Sequence, residues 1–160
     1  MNKDKKVIIA LIILSIIIII PVLLNAQNTT VSVEANIILI PINTTSNESI
    51  VSVSVTPDFV YLGDVVVGEI SNVVNVSISN TGSVKPAKIT AELVNQSDNI
   101  FNTLQLKDST GSWGNIANFT TNVSSTKRID IRLNLVNFNA ELDDDVVGHK
   151  NEIKFLAMAA

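Results

Sequence analysis

Over most of this chain, apolar and polar residues alternate with a period of two. Val51, Val53 and Val55 alternate with Ser52, Ser54 and Thr56, and Val74, Val76 and Ile78 with Asn75, Ser77 and Ser79. Ala87, Ile89, Ala91 and Leu93 face away from Lys88, Thr90 and Glu92; Ile129, Ile131, Leu133 and Leu135 from Arg128, Asp130, Arg132 and Asn134; a last run covers Glu152 to Ala159. Successive side chains of a strand point to opposite faces, so each run predicts a strand with one wet and one buried side. Less regular strand pieces fall at 59–62, 65–70, 103–107 and 115–121, with turns at Asn80-Thr81-Gly82-Ser83 and Ser109-Thr110-Gly111-Ser112. Pro86 marks a strand start or a sheet edge. No segment carries a convincing helical period. Seven or eight short strands in one domain predict an all-β fold, an immunoglobulin-like antiparallel β-sandwich over residues 50–160. Trp113, Phe59, Phe101, Phe119, Phe138 and Phe155 are its expected large core residues.

Two segments depart from this pattern. In Val7 to Leu24 only Ser15 and Pro21 are not apolar; Lys3, Lys5 and Lys6 precede the run and Asn25-Ala26-Gln27 follows it. A positive region, an apolar region and a small residue, in that order, predict a secretory signal peptide over residues 1–26, cut after Ala26. Leu24 is larger than the usual residue three positions back, so the bond itself is not fixed. An 18-residue run also reaches the length of a membrane span, and retention as an anchor stays open. A pilin-type cut between the basic and apolar parts lacks its small residue at Lys6-Val7.

The second departure is residues 27–42. Val31, Val33, Ala35, Ile37 and Leu39 make one apolar face, while the opposite face changes from Ser32, Glu34 and Asn36 to Ile38, Ile40 and Ile42. A strand apolar on both faces over its second half is expected between two sheets, and exposed it would be an aggregation hazard. The polar linker 43–49 that follows is long enough to let the strand leave its own domain. Either it is the first strand of its own sandwich, or it is a donor strand that completes the sandwich of the next subunit. A head-to-tail contact of that kind does not close on itself and builds a filament.

Composition narrows the chemistry. The 160 residues are 46% hydrophobic, and residues 1–26 hold 18 of the apolar ones, so what remains supplies one domain core. There is no cysteine and one histidine, His149, which excludes disulfides, thiol catalysis and thiolate zinc sites and leaves little for serine–histidine chemistry. No catalytic constellation is found, and the chain is not expected to be an enzyme or to hold a cofactor or metal. Glu141, Asp143, Asp144, Asp145 and His149 have metal-ligand types, without the alternate spacing and central glycine of a calcium loop. A lysine–asparagine crosslink is conceivable among 19 asparagines, with no pair singled out. Charged residues make up only 16% of the chain, and after position 26 eight basic residues face fourteen acidic ones, so nucleic acid is not an expected partner. With few titrating groups, stability is expected to fall only shallowly from pH 7 to pH 3.

Seven Asn-x-Ser/Thr sequons, at Asn28, Asn43, Asn47, Asn75, Asn95, Asn118 and Asn122, agree with export and make N-linked glycans expected partners. Thr56-Pro57-Asp58-Phe59-Val60-Tyr61-Leu62-Gly63-Asp64 through Glu69, then Val74 to Asn80-Thr81-Gly82, is similar to the turn pattern of immunoglobulin-like surface modules. With a signal segment before it and the C-terminal strand Asn151-Glu152-Ile153-Lys154-Phe155, it resembles camelysin-type matrix fibre proteins. The whole layout resembles archaeal thread and bundling-pilus subunits. That resemblance implies an exported, glycosylated subunit joined to identical copies by donor strands, in a cell-surface filament serving adhesion or biofilm formation, with the membrane touched only through the signal segment. The alternative expectation is a membrane-anchored monomeric surface or adhesion module.

Overall fold

A computed structural model describes residues 30–41, 52–81, 86–140 and 148–160. The signal segment, the linker 43–49 and the acidic run 141–147 lie outside these residues. Among the described residues, ten strands form two five-stranded sheets. In chain order they are β1 (Thr30–Pro41), β2 (Val53–Thr56), β3 (Phe59–Val66), β4 (Val74–Asn80), β5 (Ala87–Leu93), β6 (Leu104–Asp108), β7 (Gly114–Asn115), β8 (Thr120–Val123), β9 (Thr126–Leu133) and β10 (His149–Ala159). Sheet A runs β3-β1-β10-β5-β8 and sheet B runs β2-β4-β9-β6-β7. The all-β sandwich is as the alternation predicts. All neighbours are antiparallel except β1 and β10, which run parallel.

The inner faces are the apolar parity of each run. Val76 and Ile78 of β4, Ile129, Ile131 and Leu133 of β9, and Leu104 and Leu106 of β6 line sheet B with no measurable exposure. Ala87, Ile89 and Ala91 of β5 and Ile153, Phe155 and Ala157 of β10 meet them from sheet A. Burial of this apolar surface is the main stabilising term of the fold.

The irregular pieces resolve into bends. The stretches read at 59–62 and 65–70 begin as one strand, β3, with a bulge where the register to β1 shifts between Val33 and Glu34. Gly63 sits there at φ +89°, a conformation that costs a residue with a Cβ. The piece at 115–121 becomes β7, one 3-10 turn over Ile116–Asn118, and β8. Asn115 caps that turn, its Oδ1 accepting from the Ala117 N–H at 3.1 Å. Between β2 and β3 the chain crosses from sheet B to sheet A through the cis Thr56–Pro57 bond.

Two expected core aromatics lie outside the core. Phe101, Phe119 and Phe155 are buried and Phe138 packs against the core, whereas Phe59 is 45% exposed. Both parities of β3 are apolar at its start, and Val60 and Leu62 take the inward positions. Trp113, in the irregular segment between β6 and β7, lies half-buried against two cationic side chains of sheet B. The Arg132 guanidinium is 4.1 Å and the Lys107 ammonium 4.8 Å from its ring centre.

Candidate functional site: the N-terminal strand and the sequon surface

β1 sits inside sheet A with a partner on each side. Along β10 its register runs from Val33 opposite His149 to Pro41 opposite Ala157; along β3 it runs from Thr30 opposite Val66 to Asn36 opposite Phe59. The backbone N–H of Ile37 extends the second ladder, donating to the Asp58 carbonyl at 2.7 Å. Ala35 and Ile37 point into the core at 1% and 8% exposure. Val31, Val33 and Leu39, the other expected donor-face residues, take register positions opposite Val65, Gly63 and Phe155; their side chains lie outside the described residues.

The opposite face differs from expectation. Ile38 is half-buried and Ile40 is 37% exposed, so the second half of β1 is not enclosed on both faces. These isoleucines lie on the outer face of sheet A, with no second layer over them among the described residues. Glu34 and Lys150, directly opposite in the parallel register, form a 2.8 Å ion pair that favours this register over a one-residue slip.

β10, the partner of β1, is pinned at its start. The Asn151 side chain is buried and ties β10 to the loop after β5: its Oδ1 accepts from the Asn95 N–H at 3.2 Å and its Nδ2 donates to the Asn95 carbonyl at 3.1 Å. His149 Nε2 lies 3.4 Å from the buried Asp98 carboxylate, which also accepts the N–H groups of Ile100 and Phe101 at 3.0 Å. The His149 ring stacks on Phe101 with centroids 6.5 Å apart. Of the acidic cluster, only His149 is within the described residues, and its partner is Asp98. No group of three or more potential metal ligands occurs among the described residues.

The four described sequon asparagines are all exposed. Asn75 lies on the outer face of β4, as its alternation predicts. Asn122 lies on β8, and Asn118 closes the 3-10 turn before it. Asn95 accepts from both the N–H and the hydroxyl of Ser97, at 3.2 and 2.8 Å, in an Asx turn. Asn28, Asn43 and Asn47 are outside the described residues. Next to the Asn118 turn, where β5 runs on past its pairing with β8, is an open groove of about 360 Å³ lined in part by Glu92, Leu93, Gln96 and Ile116.

One polar cluster joins the two sheets, and the alternation gave no sign of it. Asp108 at the end of β6 accepts from the Lys127 ammonium of β9 at 2.8 Å and from the Thr121 hydroxyl of β8 at 2.9 Å. The Lys127 hydrogen bond, with help from Thr121 and the Thr110 N–H, holds the Asp108 carboxyl well below the usual carboxylate range. The signal available in the sequence was the strand-ending Asp108 before Ser109-Thr110-Gly111, which reads as a turn residue alone.

The fold and this geometry define a two-sheet β-sandwich whose N-terminal strand fills the slot between β3 and the C-terminal strand. Neither a family profile, nor a curated protein, nor a solved structure matches the chain.

Proposed function

We propose that this chain is a structural subunit of a secreted, N-glycosylated filament, polymerised head to tail by donor-strand complementation. The observation that carries the reading is the connectivity of β1. It occupies an interior slot of sheet A, yet it joins the sandwich only at its C-terminal end, through the eleven residues between Pro41 and Val53. Fully extended, eleven residues reach at most about 40 Å. The same strand therefore has chain enough to fill the slot of its own domain or of a neighbour. With cleavage after Ala26, three residues would precede β1. An empty slot would leave β3 and β10 with unpaired edges and uncover the core at Ala35 and Ile37, a strong drive to recruit a strand.

The experiment removes residues 27–42 from the exported chain. Filaments are then absent, the heads are less stable, and a synthetic peptide of residues 28–41 restores their thermal midpoint. Normal filaments from the truncated chain would sink the proposal.

A second reading has one observation in its favour: β1 already fills the slot of its own domain. A membrane-anchored monomeric surface module, with residues 7–24 retained, needs nothing more. N-terminal mass spectrometry of native material separates the two, since a terminus at Met1 or Lys3 belongs to the anchored module and one near Gln27 to the exported subunit.

A further inference from the structure

The two outer faces of the sandwich differ in chemistry. On sheet B, β4 and β9 present Asn75, Ser77, Ser79, Arg128, Asp130 and Arg132 outward. On sheet A, β3, β1 and β10 present Phe59, Tyr61, Ile38, Ile40, Leu156 and Met158. Phe59, Tyr61 and Ile40 are 45%, 47% and 37% exposed, and the other three are half-buried. Single exposed apolar residues are ordinary, but a contiguous patch marks a contact surface. The register makes this patch contiguous: Ile40 is directly opposite Leu156, Ile38 and Met158 each lie two residues away on the same faces, and Phe59 is opposite Asn36, two residues before Ile38.

Charge distribution selects the occupant. Glu34 pairs with Lys150 at 2.8 Å and Glu92 with Lys154 at 3.6 Å, so the face offers no field of one sign to an anionic membrane. Its two ends nevertheless differ. Asp64, Glu34 and Glu152 outnumber Lys150 at the end near Tyr61, Lys154 and Glu92 balance each other in the middle, and Lys88 of the neighbouring β5 stands alone at the end near Met158. Turned through 180°, a second copy of the face would bring its acidic end over the basic end of the first. None of the described sequons lies on β3, β1 or β10. Asn122 is two strands from Met158, about 10 Å, and a glycan there would bound the face on that side.

We propose that the outer face of β3-β1-β10 packs in a two-fold arrangement on the same face of a second copy of this chain. The contact is isologous and goes beyond the head-to-tail polymer, because β3 and β10 carry it whether β1 is supplied in cis or in trans.

Crosslinking of the exported chain tests it. The wild-type chain has no cysteine, so Lys154→Cys near the middle of the face and Ser77→Cys on sheet B are single-site probes for a short bismaleimide. Lys154→Cys is expected to give at least ten-fold more crosslinked dimer than Ser77→Cys, and adding Met158→Glu removes that excess while leaving the thermal midpoint within a few degrees. Equal yields at the two sites overturn the proposal. So does a Lys154→Cys chain that stays monomeric, whether free or bound to phosphatidylcholine vesicles. Since Lys154 belongs to the head in both arrangements of β1, the result does not depend on strand exchange.

Discussion

β9 and β1 hold similar positions in their sheets and are secured differently. β9 lies between β4 and β6, is joined to β8 through the two residues Ser124 and Ser125, and buries Ile129, Ile131 and Leu133 completely. Its outward parity is charged, so one face only can go inside. β1 lies between β3 and β10, is tied to the sandwich at one end, buries Ala35 and Ile37, and turns isoleucine outward. The first strand belongs to its domain by connectivity and by pattern. The second is held by its pattern and by an eleven-residue connection at one end, and every copy of the chain carries the same pattern.

Substitutions can break this comparison. The largest effect is expected at Ile131→Ala, about 2–4 kcal/mol for a fully enclosed side chain, read by denaturant unfolding. Added peptide 28–41 should leave that loss unchanged. Ile37→Ala costs less, about 2 kcal/mol, because Ile37 keeps 8% exposure where Ile131 has none. Here excess wild-type peptide should recover most of the loss by replacing the strand. Equal behaviour of the two variants toward the peptide would erase the distinction.

Smaller effects sharpen the account of sheet B. Asp108→Asn removes an ion pair whose partners are 18% and 23% exposed, a loss of about 1 kcal/mol at neutral pH. The folded carboxyl sits below its unfolded value, so the stabilisation is fully present above about pH 4 and is lost as pH falls further. Unfolding curves should therefore show a constant gap between wild type and variant from pH 7 to about pH 4, closing below. A gap that closes above pH 5 would contradict this cause. Arg128→Ala, whose side chain is 59% exposed beside Asp130, should change stability by no more than about 0.5 kcal/mol.

How much was legible in the sequence follows from how one-sided each segment is. β4, β5, β9 and β10 could be read because one parity is apolar and the other polar, so register and burial follow together. At Phe59-Val60-Tyr61-Leu62 both parities are apolar, and only the folded bulge at Gly63 decides that Val60 and Leu62 go in. Trp113 lies in the irregular connection between β6 and β7, where alternation carries no information. The Asp108–Lys127–Thr121 cluster joins three strands, and a pairing between sheets has no signature along the chain. The face of β1 at Ala35 and Ile37 was legible, while its parallel alignment with β10 depended on which ends of the chain meet.

The central claim is that β1 fills a slot in another copy, and a disulfide across β1 and β3 tests it most directly. Asn36 and Phe59 are directly opposite, and the Ile37 N–H bond to the Asp58 carbonyl makes them a non-hydrogen-bonded antiparallel pair. Their Cα atoms are then about 4.5 Å apart, within the span of a disulfide. In a chain without cysteine, Asn36→Cys with Phe59→Cys creates a single reporter. Oxidised filaments of the double variant should run on denaturing gels as a ladder of covalent multimers that collapses to monomer on reduction. A single monomeric band closed by an intrachain disulfide would contradict the claim and leave β1 as the first strand of its own sandwich.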